Sequence, residues 1–155
     1  MPPIPVPLAL YWVWPLMIKG VTLIALITIL LPATAFSQSM SREKFNWMLN
    51  CQGCHGAKGE AVAIDTPALI GNVARFLTVE GGREYLMSVP GVVNAPINDA
   101  DKAKMLTWML NWLDPDHIPA DFKPFTEEEV ATGRRNPLIT KASSRRAELI
   151  EKMAK

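Results

Sequence analysis

The chain has 155 residues, 49% of them hydrophobic and 20% charged, with a formal net charge of +1. That mixture excludes disordered and fibrous chains, and the length suits one domain with appendages. A near-neutral balance gives no expectation of a nucleic-acid partner.

The N-terminus inflates the apolar fraction, and residues 1–37 read as a targeting segment. Val21 to Phe36 is almost wholly apolar, Lys19 stands just ahead of it, and Ala33, Ala35 and Ser37 close it. A basic residue, a short apolar run and small closing residues make a secretory signal, with cleavage expected after Ala35 or Ser37. The competing expectation is an uncleaved anchor over Leu8 to Leu31, although a membrane span needs about 20 apolar residues. Pro2, Pro3, Pro5, Pro7 and Pro15 are foreign to a signal, and translation from Met17 would leave an ordinary one. Export to the periplasm is the expectation. Contact with a membrane is expected only if the segment stays uncleaved.

Ser41 to Asn50 is predicted as a short helix, with Ser41 as N-cap and Glu43 in its first turn. Phe45, Met48 and Leu49 form its expected apolar stripe, with Trp47 beside them. The chain's two cysteines follow in Cys51-Gln52-Gly53-Cys54-His55. C-x-x-C-H is the signature of covalent haem c attachment. Two thiols at this spacing add to the two haem vinyl groups, and the histidine that follows reaches the iron from one side. A disulfide would leave His55 unexplained. A thioredoxin-like pair needs a βαβ context, and a zinc site needs four ligands, whereas only His117 lies beyond this cluster.

Two more helices are predicted, from Arg83 to Ser88, ended by Pro90-Gly91, and from Ala100 to Leu113, capped by Asn98 or Asp99. In the second, Met105, Leu106, Trp108, Met109, Trp112 and Leu113 recur at three and four. No segment alternates as a strand, so the expected class is all-α, a helical domain around one covalent haem.

Residues from about Phe45 to Leu113 resemble a class I c-type cytochrome domain, within expected bounds of 38–113. Trp47 stands four before the first cysteine, where that family packs an aromatic against its last helix. Pro67-Ala68-Leu69-Ile70-Gly71 matches the family's P-x-L-x-G loop. The resemblance implies that the Pro67 carbonyl accepts the second imidazole N–H of His55, the iron's proximal ligand. Such a bond fixes the tautomer and makes the ligand more basic.

The sequence departs from that family at the sixth iron position. The family's Met-Pro step corresponds to Ala95-Pro96, and a methyl group cannot ligate iron. Three alternatives stand. Met87 reaches the iron from the preceding helix, or else packs in the core. Asn94 coordinates through its amide oxygen, or else serves a turn. Otherwise the position is open or holds water.

Residues 114–155 are expected as a helical extension, entered through a proline-rich linker in which His117 is expected at the surface. Phe122 and Phe125 flank Pro124 as a strap, Thr126-Glu127-Glu128-Glu129 opens a helix as a capping box, and Gly133 is expected to end it. A last helix is expected from Thr140 or Ser143. Six acids against Lys123 fill Asp114 to Glu129, and seven basic residues against two glutamates fill Val130 to Lys155. The expected function is single-electron transfer from a redox-protein donor to a redox-protein acceptor by an exported haem protein that is not an enzyme. The alternative is binding or activation of a small ligand at an open sixth site, with Arg75 or Arg83 polarising it or else pairing with haem propionates. A third reading makes the tail an assembly surface.

Overall fold

The structure, a computed structural model, describes residues 39–155, of which Met40–Lys155 form one compact unit. The expected signal or anchor lies outside the described residues. Helices alone make up the regular structure here, with no strand among the described residues. None of these helices is long and apolar enough to cross a membrane.

Helix α1 (Arg42–Asn50) is capped by Ser41, whose hydroxyl accepts from the Lys44 amide at 3.2 Å. Its buried residues are Asn46 and Trp47, while Phe45, Met48 and Leu49 are exposed. The expected stripe is therefore wrong. Trp47 decides the rotation of this short helix, because its ring meets Trp112 edge-on at 5.7 Å and turns its neighbours outward. α2 (Gln52–His55) follows at once, and a 3-10 turn spans Ala74–Thr78. α3 (Gly82–Ser88) ends before Pro90, as the proline predicts. Pro90 then opens the short α4 (Pro90–Val93), where a missing N–H costs nothing.

α5 (Asp99–Leu113) is capped by Asn98, which accepts from the Asp101 amide at 2.7 Å. Its first turns hold α4, since the buried Lys102 Nζ donates to the Val93 carbonyl at 3.3 Å. Its last turn holds the loop after α2, because the Leu113 carbonyl accepts from the Gly71 amide at 3.0 Å. The next residue, Asp114, is buried and accepts from the Ala74 amide at 2.7 Å. His117 pairs through Nδ1 with the same carboxylate and is half-buried, rather than standing free at the surface.

The residues after 114 fold back onto this frame and enter its core. Phe125 and Val130 are buried, and Leu149 has no exposed surface. α6 (Glu127–Arg135) begins with the expected capping box at Thr126 and Glu129. It does not stop at Gly133. A Cβ there would lie 2.5 Å from the Met87 carbonyl oxygen, so the glycine is what lets α6 meet the backbone of α3. α7 (Ala142–Met153) follows, and the Leu138 amide ahead of it donates to the Ser88 carbonyl at 2.9 Å.

Arg83 clamps this return. Its guanidinium donates to Glu129 at 2.7 and 3.0 Å and to the carbonyls of Lys123 and Pro124, and it lies 4.4 Å from the centroid of the Phe125 ring. The Arg83 bonds come first in holding the Glu129 carboxyl down, from an ordinary 4.5 to about 2. A carboxyl lowered in the folded state stabilises the fold above its unfolded value and loses that contribution as pH falls through the folded one. The stability difference between wild type and Glu129→Gln should therefore be full above pH 4.5 and shrink toward pH 2, read by urea unfolding across that range. Leu149→Ala should cost about 2–5 kcal/mol in the same assay, as buried leucine truncations do.

Candidate haem site

The attachment motif begins where α1 ends. The Cys51 amide donates to the Trp47 carbonyl at 2.9 Å, and the Cys54 and His55 amides donate back to the Cys51 carbonyl at 3.1 and 3.0 Å. One tight turn thus brings together the thiols of Cys51, half-buried, and Cys54, exposed. Burial, with Cys54 second, pushes the Cys51 thiol up to about 11.

The loop after His55 is tied down at both ends. The Leu69 amide donates to the Gly59 carbonyl at 2.8 Å, and Gly59, with φ of +79°, sits where a Cβ would meet Leu113 at 2.9 Å. This anchoring sets Pro67. His55 Nδ1 lies 3.2 Å from the Pro67 carbonyl oxygen, the contact the P-x-L-x-G loop implies, and it leaves Nε2 for another partner. Burial lowers the His55 pKa, and the Pro67 bond opposes that shift.

Cys51, Cys54 and His55 open onto a cavity of about 790 Å³. Its first wall is the loop with Pro67, Ala68 and Leu69. A second wall comes from Tyr85, Leu86 and Val89 of α3 and its end, with Pro90 and Val92 of α4. α5 contributes Met105, Leu106 and Met109 between them. Ile139, Ser143 and Arg146 of the C-terminal return close a further side.

A haem fits this donor set. Two thiols stand on one turn, an imidazole already has its Nδ1 engaged, and the walls are mainly apolar. Arg146 is half-buried over the Phe76 ring, 5.8 Å from its centroid, with no carboxylate partner among the described residues. It suits the carboxylates that haem carries. The Trp47 indole Nε1, also on the cavity wall, is buried without an acceptor among the described residues, and buried donors are normally satisfied.

Comparison with known proteins agrees. The chain is 35% identical over 107 residues to two cytochromes c-552 of Thermus thermophilus. The match covers 57% of this chain and 81% and 72% of those relatives. This chain belongs to the class I c-type cytochromes. Its cofactor is therefore covalent haem c, and its role is electron transfer rather than enzymatic catalysis. No family model matches the chain.

Within this cytochrome, the two side chains expected as sixth ligands fall outside the cavity lining. Met87 is buried in the core at 4% exposure, and Asn94 is exposed beyond α4. Arg83 is committed to Glu129, and Arg75 is exposed. Neither lines the cavity. Among the wall residues that sequence reasoning did not assign to the site are Tyr85, Met105, Met109 and Arg146. The helical periodicity of α5 flagged both methionines as inward-facing, but nothing local marked Arg146 among the seven basic residues of the tail.

A cation beside a haem favours the reduced state, which carries less positive charge. Arg146→Gln should lower the reduction potential by on the order of 1 kcal/mol, about 40 mV for one electron. Redox titration checks it, and an unchanged potential would separate Arg146 from the haem carboxylates.

Proposed function

We propose that this cytochrome is an exported, periplasmic carrier that holds one haem c through Cys51 and Cys54. Each thiol adds its S–H across a vinyl double bond, and the imidazole of His55 ligates the iron from the Pro67 side. Haem c supplies one-electron chemistry. The protein takes an electron from a redox-protein donor and passes it to a redox-protein acceptor.

The observation that carries this reading is the convergence of Cys51, Cys54 and His55 on one cavity, with His55 Nδ1 held by Pro67. Covalent attachment keeps the group in place whatever the non-covalent affinity. The Pro67 carbonyl fixes which imidazole nitrogen is free and raises its basicity, which steadies the iron–nitrogen bond through the redox cycle. The apolar walls exclude water and so limit solvent rearrangement when charge changes. Cys54 is exposed, so the attachment edge is the point at which a partner approaches most closely.

Residues 1–37 direct export in this reading, which agrees with haem attachment outside the cytoplasm. If the segment is cleaved, the mature chain begins after Ala35 or Ser37. If it is kept, it tethers the carrier to a membrane.

Intact-mass analysis after expression with a haem c maturation system tests both parts. The wild type should show one haem added to a chain starting after Ala35 or Ser37. Cys51→Ala with Cys54→Ala should show no covalent haem at all. A haem-free wild type, or a double variant that keeps covalent haem, overturns the assignment.

A further inference from the structure

The wall of the cavity that faces away from Pro67 is built by α3 and α4, and helical geometry fixes what it presents. Tyr85, Leu86 and Val89 line the cavity, at positions i, i+1 and i+4. Met87 is turned about 200° from Tyr85 at about 100° per residue, so it lies on the far side of the same helix. There its Cβ sits 2.9 Å from the place a Cβ on Gly133 would take, against α6. Asn94 donates its amide to the Pro90 carbonyl at 3.0 Å, ending α4, and its side chain is exposed. Ala95 is buried and carries only a methyl group.

Two thioethers remain on the cavity lining, Met105 and Met109, and both belong to α5. That helix ties the two walls together. Lys102 holds Val93 of one wall, and Leu113 holds Gly71 beside the other. The eleven residue steps from Lys102 to Leu113 span about 16 Å at about 1.5 Å per residue. A helix running from one wall to the other crosses the edge of any flat group between them. Met105 and Met109 therefore enter the cavity from its side, between the two walls, and not from the α3–α4 wall. Tyr85 packs against Phe76, the two tilted rings 5.0 Å apart between centroids. The α3–α4 wall presents Leu86, Val89, Pro90 and Val92 to the cavity, with Tyr85 beside them.

We infer that the sixth iron position of this cytochrome has no side-chain ligand and takes a small neutral diatomic molecule, of which carbon monoxide and nitric oxide are the test cases. The inference rests on the haem attachment proposed above. The aliphatic wall selects the ligand class. Leu86, Val89, Pro90 and Val92 carry no charge, and the one arginine of the lining, Arg146, stands on the C-terminal return over Phe76, where it is set against the haem carboxylates. A compact, uncharged molecule loses little hydration on entering such a space.

The test is an optical titration of the reduced wild-type protein with carbon monoxide, after intact mass has shown one covalent haem. A saturable shift of the main haem band is expected, with a single carbon monoxide per haem. The oxidised protein should show a high-spin spectrum and no saturable change with azide at the concentration where carbon monoxide saturates. Met105→Leu and Met109→Leu should leave the carbon monoxide affinity within about twofold of wild type. An oxidised low-spin spectrum with no response to carbon monoxide overturns the inference, and so does either variant that gains a response the wild type lacks. Azide binding as tight as that of carbon monoxide overturns the neutral-ligand class. Absence of covalent haem at the mass stage would instead be a failure of the attachment reading.

Discussion

Everything around the cavity depends on α5 acting as a strut. Its first turns hold α4 through Lys102, and its last turn holds the Pro67 loop through the carbonyl of Leu113. The two walls are thereby kept apart by a rigid element whose length is fixed at about 1.5 Å per residue. Without that spacing, the apolar side chains of the two walls would bury against each other. The strut also fixes α1, since Trp47 packs edge-on against Trp112. Once α1 is placed, Cys51 is placed, because its amide is bonded to Trp47.

The site was legible in the sequence where its chemistry is local. Cys51, Cys54 and His55 lie within five residues, so their spacing alone carries the attachment reading. Pro67 is twelve residues from His55 and was found only through a loop resemblance, because a backbone carbonyl leaves no mark in composition. The second wall was harder. Which face of α3 turns inward is set by α6, which packs from 46 residues away through Gly133 against Met87 and Glu129 against Arg83. Taken locally, Met87 is merely a methionine in the right region. The glycine at 133 misleads for a related reason: a glycine late in a helix usually ends it, and only tertiary contact shows that close approach is its purpose here. α1 failed differently. A nine-residue helix with apolar side chains on two faces has no unique inward stripe, and the indole of Trp47 outweighs three smaller contacts.

The charge pattern of the tail has an internal use. Asp99 pairs with Arg134, Glu128 with Arg135, Glu129 with Arg83 and Arg145 with Glu148. The acids of one stretch and the bases of the next are therefore partly consumed in holding the return in register. The exposed pairs among these contribute little each, from about 0 to about 1 kcal/mol, whereas Arg83–Glu129 is partly buried. The burial of Phe125, Val130 and Leu149 contributes more, and it makes residues 114–155 part of the same core rather than an added surface. Among these basic residues, Arg146 differs in facing the cavity with no carboxylate among the described residues to neutralise it.

That return also explains how so short a connection between α3 and α5 can serve a haem protein. α4 has four residues, enough to roof only part of a porphyrin-sized cavity. In a domain whose covering loop also brings a methionine, one segment does two jobs, closing the face and ligating the iron. Here the jobs separate. Closure passes to Ile139, Ser143 and Arg146, which reach the cavity because Leu138 is bonded to Ser88 and Leu149 is sunk in the core. A helix clamped at several points can exclude water without offering a donor to the iron. In the proposed attachment the turn at Cys51 and Cys54 fixes one edge of the group, and the C-terminal return lines a side of the cavity that the short loop does not.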